Sequence, residues 1–228
     1  MMTIDDIRKM IDQQGVMPDF TNNATTGTVK RGIGGDADYE IFVGWDIAKA
    51  NQCDSMWGIF NTNLIQFIRN QNYSQEELDN IQSYIQLGDS HWDWLWKSCA
   101  HRSDEYEWFY LYADDKPQAA CLIYHPKKSV LHEEDIFYIE YIAVAPWNRK
   151  NPMQERELVG LGKAMIQFVI NYATKTLGLH LGFSLHSVPT ATGFYEGLGM
   201  LSFEQNDKGE LKFYEMPSQV ADRYLEAS

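Results

Sequence analysis

The stretch DIFYIEYIAVA (residues 135–145), continued by PWNRKNPMQEREL (146–158) and VGLGKAMIQFVI (159–170), decides the fold. Its first part is rich in aromatic and β-branched residues and reads as a strand. Its last part carries Leu161, Met165, Phe168, Val169 and Tyr172 at helical spacing, which predicts a helix from about Gly160 to Leu177 with Gly178 as its stop. Gly160 and Gly162, at the start of that helix, leave room for an anion beside the backbone. The free amides of the first turn and the helix dipole can then hold a phosphate without a basic side chain. The same two glycines also suit close packing of helix on strand. A Walker loop is excluded by Glu157 and Ala164, and a dinucleotide fingerprint by Met165, which stands where a third glycine is needed.

Working outward, EWFYLY (107–112) and QAACLIY (118–124) form a hairpin candidate ahead of this unit. After it, LHLGFSLHS (179–187) alternates strictly, with Leu179, Leu181, Phe183 and Leu185 on one side and His180, Gly182, Ser184 and His186 on the other. A short helix around Ala191 to Leu198 leads to LSFEQ, the turn NDKGE and LKFYEM, a terminal hairpin. The order β-β-β-α-β-α-β-β is that of an α/β fold around a mixed sheet.

Towards the N-terminus, residues 1–14 carry Ile4, Ile7, Met10 and Ile11 at helical spacing, too short a segment to be stable undocked. The glycine-rich text from Thr21 to Asp36 reads as a loop, and its Gly32-x-Gly34 lacks the strand a dinucleotide site requires. Tyr39–Trp45 is a strand candidate, and the apolar positions from Ile47 to Asn70 suit one or two helices. Ser74 with Glu77 is a capping box opening a helix that Gly88 closes, and Ser90 with Asp93 opens another carrying Trp92, Leu95, Trp96 and Cys99. These tryptophans can be core or can line a pocket.

The chain has 228 residues, 44% of them apolar, with a formal net charge of −13. That charge argues against binding nucleic acid by phosphate neutralisation. No apolar run reaches the roughly 18 residues of a membrane span, so a soluble, cytoplasmic protein with no membrane partner is expected. Cys53, Cys99 and Cys121 are widely spaced and form no zinc pair, so reduced thiols and no metal are expected.

Three ordered texts in the second half resemble the GNAT superfamily of N-acetyltransferases: Val144-Ala145-Pro146 at a strand end, Glu157-Leu158-Val159-Gly160-Leu161-Gly162 before a helix, and Phe194-Tyr195-Glu196-Gly197-Leu198-Gly199 later. The resemblance covers residues 105–216 and, in outline, 38–104. It implies a GNAT-like mixed β-sheet flanked by helices over 38–216, with an N-terminal helical extension and loop at 1–37 and a tail at 217–228.

It also implies acetyl-CoA as cosubstrate. The diphosphate would lie on the amides of Val159, Gly160, Leu161, Gly162 and Lys163, and the pantetheine would pair with the main chain of Ile142, Ala143 and Val144. The Val144 amide would be the oxyanion donor. Tyr195 matches the tyrosine that protonates the leaving thiolate, and is otherwise an aromatic packed beside Phe194. Amine acetylation needs a base, because an alkylammonium is almost wholly protonated at neutral pH. Glu140, His186 or a water chain could serve. Glu157 departs from the usual Gln or Arg, with Arg156, Arg149 or Lys163 available to offset its charge. The loop from Pro146 to Gly160 is long, and Val188 replaces a frequent Asn.

The implied activity is direct acetyl transfer to an amine, and the alternative is a non-catalytic acyl-CoA-binding or interaction module on the same fold. The acceptor, a small molecule or peptide, would meet residues 45–104 and 200–216. There Trp57, Trp92, Trp94 and Trp96 with Asp89, Asp93 and Asp104 suit a cationic or aromatic amine. Oligomeric state is not legible.

Overall fold

A computed structural model describes residues 3–21 and 23–227, with Thr190 described by its backbone alone. The chain divides into two compact units, Met1–Arg102 with Trp108–Ala120 and Ala143–Gly162, and Ser103–Glu107 with Cys121–Ile142 and Lys163–Ser228.

In the first unit the amphipathic N-terminal segment is helix α1 (Ile4–Gln14), opened by a Thr3/Asp6 capping box and closed by Gly15. Short helices need docking to persist. Here Ile11 is buried and Arg8 donates to Asp93 at 2.7 Å and to Asp54 at 3.3 Å. The expected loop from Thr21 to Asp36 is instead largely strand. β1 (Asn23–Arg31) pairs antiparallel with β2 (Asp36–Val43) through a turn containing Gly34 and Gly35 at positive φ. Thr25, Thr26, Thr28 and Val29 explain it, since β-branched residues favour the pleated backbone even where only Val29 is buried.

The Ile47–Asn70 stretch is one helix, α2, started by Asp46, whose carboxylate accepts from the amides of Ala48 and Lys49. α3 (Gln75–Tyr84) begins at the Ser74/Glu77 capping box but ends at Ile85, ahead of Gly88. α4 (Trp94–Ala100) is capped by Asp93 itself, not by Ser90, because the Asp93 side chain reaches the Trp96 amide at 2.7 Å. Trp92 therefore precedes the helix.

The remaining strands are β3 (Tyr106–Ala113), β4 (Lys116–Lys128), β5 (Asp135–Val144), the two-residue β6 (Leu158–Val159), β7 (Phe183–Ser187), β8 (Leu201–Ser202) and β9 (Lys212–Met216). Together they form a nine-stranded mixed sheet in the order β6-β1-β2-β3-β4-β5-β7-β9-β8. In the second unit β5 and β7 are parallel, with Phe137 opposite Phe183. Parallel neighbours need a crossover, supplied by helix α5 (Leu161–Lys175). The Phe137 and Phe183 rings stack 5.3 Å apart, both fully buried. β7, β9 and β8 continue antiparallel, as the terminal hairpin text predicts. Between β7 and β8 lies α6 (Thr192–Gly197), and the expected C-terminal tail is a helix, α7 (Ser218–Glu226), with Ala221 buried. Among the described residues, no helix is long and apolar enough to cross a membrane.

The long loop after β5 is ordered by a buried glutamine. The Gln118 side chain donates to the Ala113 carbonyl at 2.9 Å and accepts from Trp147 Nε1 at 2.8 Å and Asn148 Nδ2 at 2.7 Å. Asn148 Oδ1 in turn accepts the Leu158 amide at 2.9 Å. A fully satisfied polar network of this kind fixes a backbone path that apolar packing alone leaves open. β6 thereby lies against β1, with Lys30 opposite Val159 and Arg31 opposite Leu158.

Candidate active site

Gly160 has φ +92°, which favours glycine, and a Cβ built there meets nothing within 4 Å. A Cβ on Gly162 would make only an ordinary 3.6 Å contact with Val144 Cγ2. Packing of helix on strand therefore does not demand these glycines, and the space in front of them is open to a ligand. The amides of the first turn of α5 have no partner within the helix. Val159 is different: Gly32 N donates to Glu157 O at 2.9 Å, and ladder alternation then turns the Val159 amide towards Lys30. Of the expected amides, the β1 ladder takes up that of Val159 and leaves those of Gly160, Leu161, Gly162 and Lys163. The Lys163 ammonium is itself turned to the Ala227 carbonyl.

The charge of Glu157 is answered locally, by Lys116 at 2.9 Å. Arg149 is not free to do so. Its Nε and Nη2 donate to the Val144 carbonyl at 2.8 and 2.6 Å, and both Nη atoms meet the Asp89 carboxylate at 2.5 Å. The end of β5 is thus held by a bidentate arginine–carboxylate pair, a rigid geometry.

In the second unit β5 pairs with β7 only over Phe137–Ile139. Beyond Ile139 the described residues show no continuation, which leaves Glu140–Ile142 with an open edge on that side. Beside it lies a cleft of about 300 Å³ lined by Glu140, His186, Phe213 and three tyrosines, Tyr106, Tyr124 and Tyr138. Lys127, Lys208 and Asn206 complete its wall.

Both residues expected as bases are therefore together, in different states. His186 Nε2 lies 2.9 Å from the Asn206 carbonyl, which can only accept, so that nitrogen carries the proton. Nδ1, 2.7 Å from the Tyr138 hydroxyl, then accepts from it. Burial lowers the His186 pKa, and Lys208 and Lys127 lower it further. Glu140 is half-buried and, among the described residues, has no hydrogen-bond or ion-pair partner. Burial first, and then the Glu140 charge, raises the pKa of Tyr138 and Tyr141.

No protein-family model matches the sequence, and no curated protein is similar enough to match. Solved structures are similar in fold. FdhC, a nucleotide-linked sugar GNAT, superposes with a TM-score of 0.50 at 12% identity over 89% of this chain and 93% of its own. An uncharacterised protein from Bacillus halodurans gives 0.51 at 9% identity over 90% and 96%.

The chain has the GNAT fold.

Within this GNAT fold Tyr195 sits on α6, half-buried, its ring 5.2 Å from Phe194 and 6.0 Å from Tyr214. Burial pushes its phenol up to about 12, and among the described residues its hydroxyl has no hydrogen-bond partner. Tyr195 does not line the Glu140 cleft. Of the tryptophans expected at an acceptor surface, Trp57 and Trp94 are 6% and 2% exposed and meet edge to face at 5.6 Å, Trp92 is half-buried and Trp96 is exposed; Trp57, Trp92 and Trp94 also border a small pocket with Asp89 and Arg149. Of the acids beside them, Asp89 is engaged by Arg149 and Asp93 by Arg8 and the α4 amide, while Asp104 is exposed. Helical spacing signals burial as readily as a pocket, and here the segment shows both. Sequence reasoning missed Tyr138, which the alternation of β5 places on the same face as Glu140. It also missed Lys127 and Lys208, which nothing local in the sequence marks.

Proposed function

We propose that this protein is an acetyl-CoA-dependent N-acetyltransferase that moves the acetyl group directly to an amine. The observation that carries the reading is Glu140, an unpartnered carboxylate in a cleft beside the open edge of β5, on a GNAT fold. The diphosphate is assigned to the amides at the start of α5, where Gly160 and Gly162 leave space that a side chain would occupy. The amide-bearing arm is assigned to the main chain of Ile142, Ala143 and Val144, as an added strand.

Glu140 takes the proton of the acceptor ammonium. The freed nitrogen lone pair attacks the thioester carbonyl carbon, whose oxygen becomes an oxyanion facing the Val144 amide. As the carbon–sulfur bond breaks, the thiolate takes the proton of Tyr195, and the second proton of the attacking nitrogen passes by way of solvent to the tyrosinate, leaving a neutral amide. His186 is a positioning residue here, because both its nitrogens are spent on Tyr138 and Asn206.

The acceptor we assign is an amine that also bears an anionic group. Lys127 and Lys208 stand in the wall of the cleft, whereas Asp89 and Asp93 of the tryptophan segment are paired elsewhere. The grounds for a non-catalytic module are Glu157 and Val188; Lys116 offsets the charge of Glu157, and Val188 stands exposed after β7.

The test is thiol release from acetyl-CoA with a panel of amines with and without carboxylates or phosphates. Turnover that Glu140→Gln lowers about 10²- to 10⁴-fold supports the reading. Tight acetyl-CoA binding with no turnover on any amine would favour the module instead.

A further inference from the structure

Away from the cleft, in the second unit, His132, Glu134 and His180 bring one donor atom each to within 4.8 Å of the others. Glu134 Oε2 lies 3.0 Å from His180 Nδ1 and 3.6 Å from His132 Nδ1. In a tetrahedral zinc site, with metal–ligand bonds of about 2.1 Å, neighbouring donors are roughly 3.4 Å apart. The imidazole rings of His132 and His180 meet edge to face, 4.2 Å between centroids.

The hydrogen bonds around the cluster show what it lacks. Ser218 Oγ donates its only proton to the Leu181 carbonyl at 2.8 Å, so towards His180 Nε2, 2.9 Å away, it accepts. His180 therefore carries a proton on Nε2, and in the neutral ring the Nδ1 lone pair points at a carboxylate oxygen. Two lone pairs at 3.0 Å repel unless a cation lies between them. His132 Nδ1 is buried and, among the described residues, has no hydrogen-bond partner. One divalent ion accepting all three donors satisfies the whole set.

The scaffold is built to hold this arrangement. Glu215, 1% exposed, accepts the amides of Val130 and Leu131 at 3.0 and 3.3 Å and the Ser129 hydroxyl, and Ser129 Oγ in turn accepts the His132 amide at 3.2 Å. The His180 amide is bonded to the Asp135 carbonyl at 2.8 Å, next to Glu134. A ligating histidine whose other nitrogen donates to a fixed acceptor is the usual support of a metal site.

We infer that His132, Glu134 and His180 form a binding site for a divalent transition-metal ion of the zinc class, with Ser218 positioning His180. Two imidazoles and one carboxylate suit such an ion and do not suit magnesium or calcium, which take oxygen ligands. The ion would pin the 129–134 loop to the chain entering β7.

The experiment uses the tag-free full chain, stripped with a chelator and titrated calorimetrically with zinc chloride. One zinc per chain is expected, with a melting temperature that rises with zinc and is unmoved by magnesium. His132→Ala, His180→Ala and Glu134→Gln should each weaken binding at least about tenfold, and Ser218→Ala roughly tenfold at an unchanged metal-free melting temperature. Glu134 is the exposed member, 63% for its side chain, so Glu134→Gln keeps the metal-free fold and guards against a trivial loss by unfolding. No zinc response in the wild-type chain, or a response that the His132→Ala/His180→Ala pair leaves intact, would overturn the assignment.

Discussion

Lys116 Nζ lies 2.9 Å from Glu157 Oε2, and this pair offsets the charge of an acid that stands just before the helix start proposed to hold the diphosphate. Both side chains are about one-third exposed, so the pair adds little stability and its consequence is electrostatic. Lys116→Met should raise the Kd for acetyl-CoA several-fold, more at low salt than at high. Adding Glu157→Gln should restore it. Calorimetry on the single and double variants checks both.

Gly160 should be the more sensitive of the two helix-start glycines. Its φ of +92° makes any side chain strained, whereas Gly162→Ala adds a methyl at ordinary distance from Val144. Gly160→Ala is expected to cost about 1 kcal/mol or more in stability. Gly162→Ala should leave stability nearly unchanged while weakening acetyl-CoA binding, by urea denaturation and calorimetry respectively.

Tyr195, with its phenol pushed up to about 12, stays protonated throughout the neutral range. A raised pKa means the proton is lost only in strong alkali, so no alkaline fall in kcat from this group is expected below about pH 11. Tyr195→Phe should lower kcat while leaving the Kd for acetyl-CoA unchanged. Full turnover in that variant would remove the acid role.

His186 should titrate below its ordinary 6.5, because burial disfavours its charged form. The unfolded chain then binds more protons as pH falls through 6.5, so stability contributed by neutral His186 is present above that value and is lost below it. NMR titration of the ring, with urea melts at pH 5 and 7 for wild type and His186→Gln, tests the sign: the variant should lose less on acidification.

Gln118 carries the stability prediction. Gln118→Leu strands Trp147 Nε1, Asn148 Nδ2 and the Ala113 carbonyl in the interior, and should cost about 2–4 kcal/mol in a urea melt.

What was legible in the sequence was what repeats or follows a rule of neighbours. Strand β5, helix α5, the Ser74/Glu77 cap and the terminal hairpin all follow from spacing and local chemistry. Glu140 stood out because it interrupts an apolar strand. What was not legible depends on partners far along the chain. β1 looks like a loop because it pairs with β2 and β6 and buries only Val29 of its own side chains. The tryptophans carry no sign in the sequence of which are packed inside, nor that Arg8 pairs with Asp54 and Asp93 and Arg149 with Asp89 beside them. The His132, Glu134 and His180 set is split across a loop and a distant strand approach, so no spacing announces it.

The pairing of Lys30 with Val159 also makes the N-terminal segment indispensable in a way its composition conceals. A chain beginning at Asp38 looks like a natural truncation. It would amputate the strand that stands between β2 and β6, baring two ladders of unpaired backbone groups, and such bare edges recruit neighbouring chains. Shortening this protein from the front should therefore convert a monodisperse product into an aggregating one before any chemistry is tested.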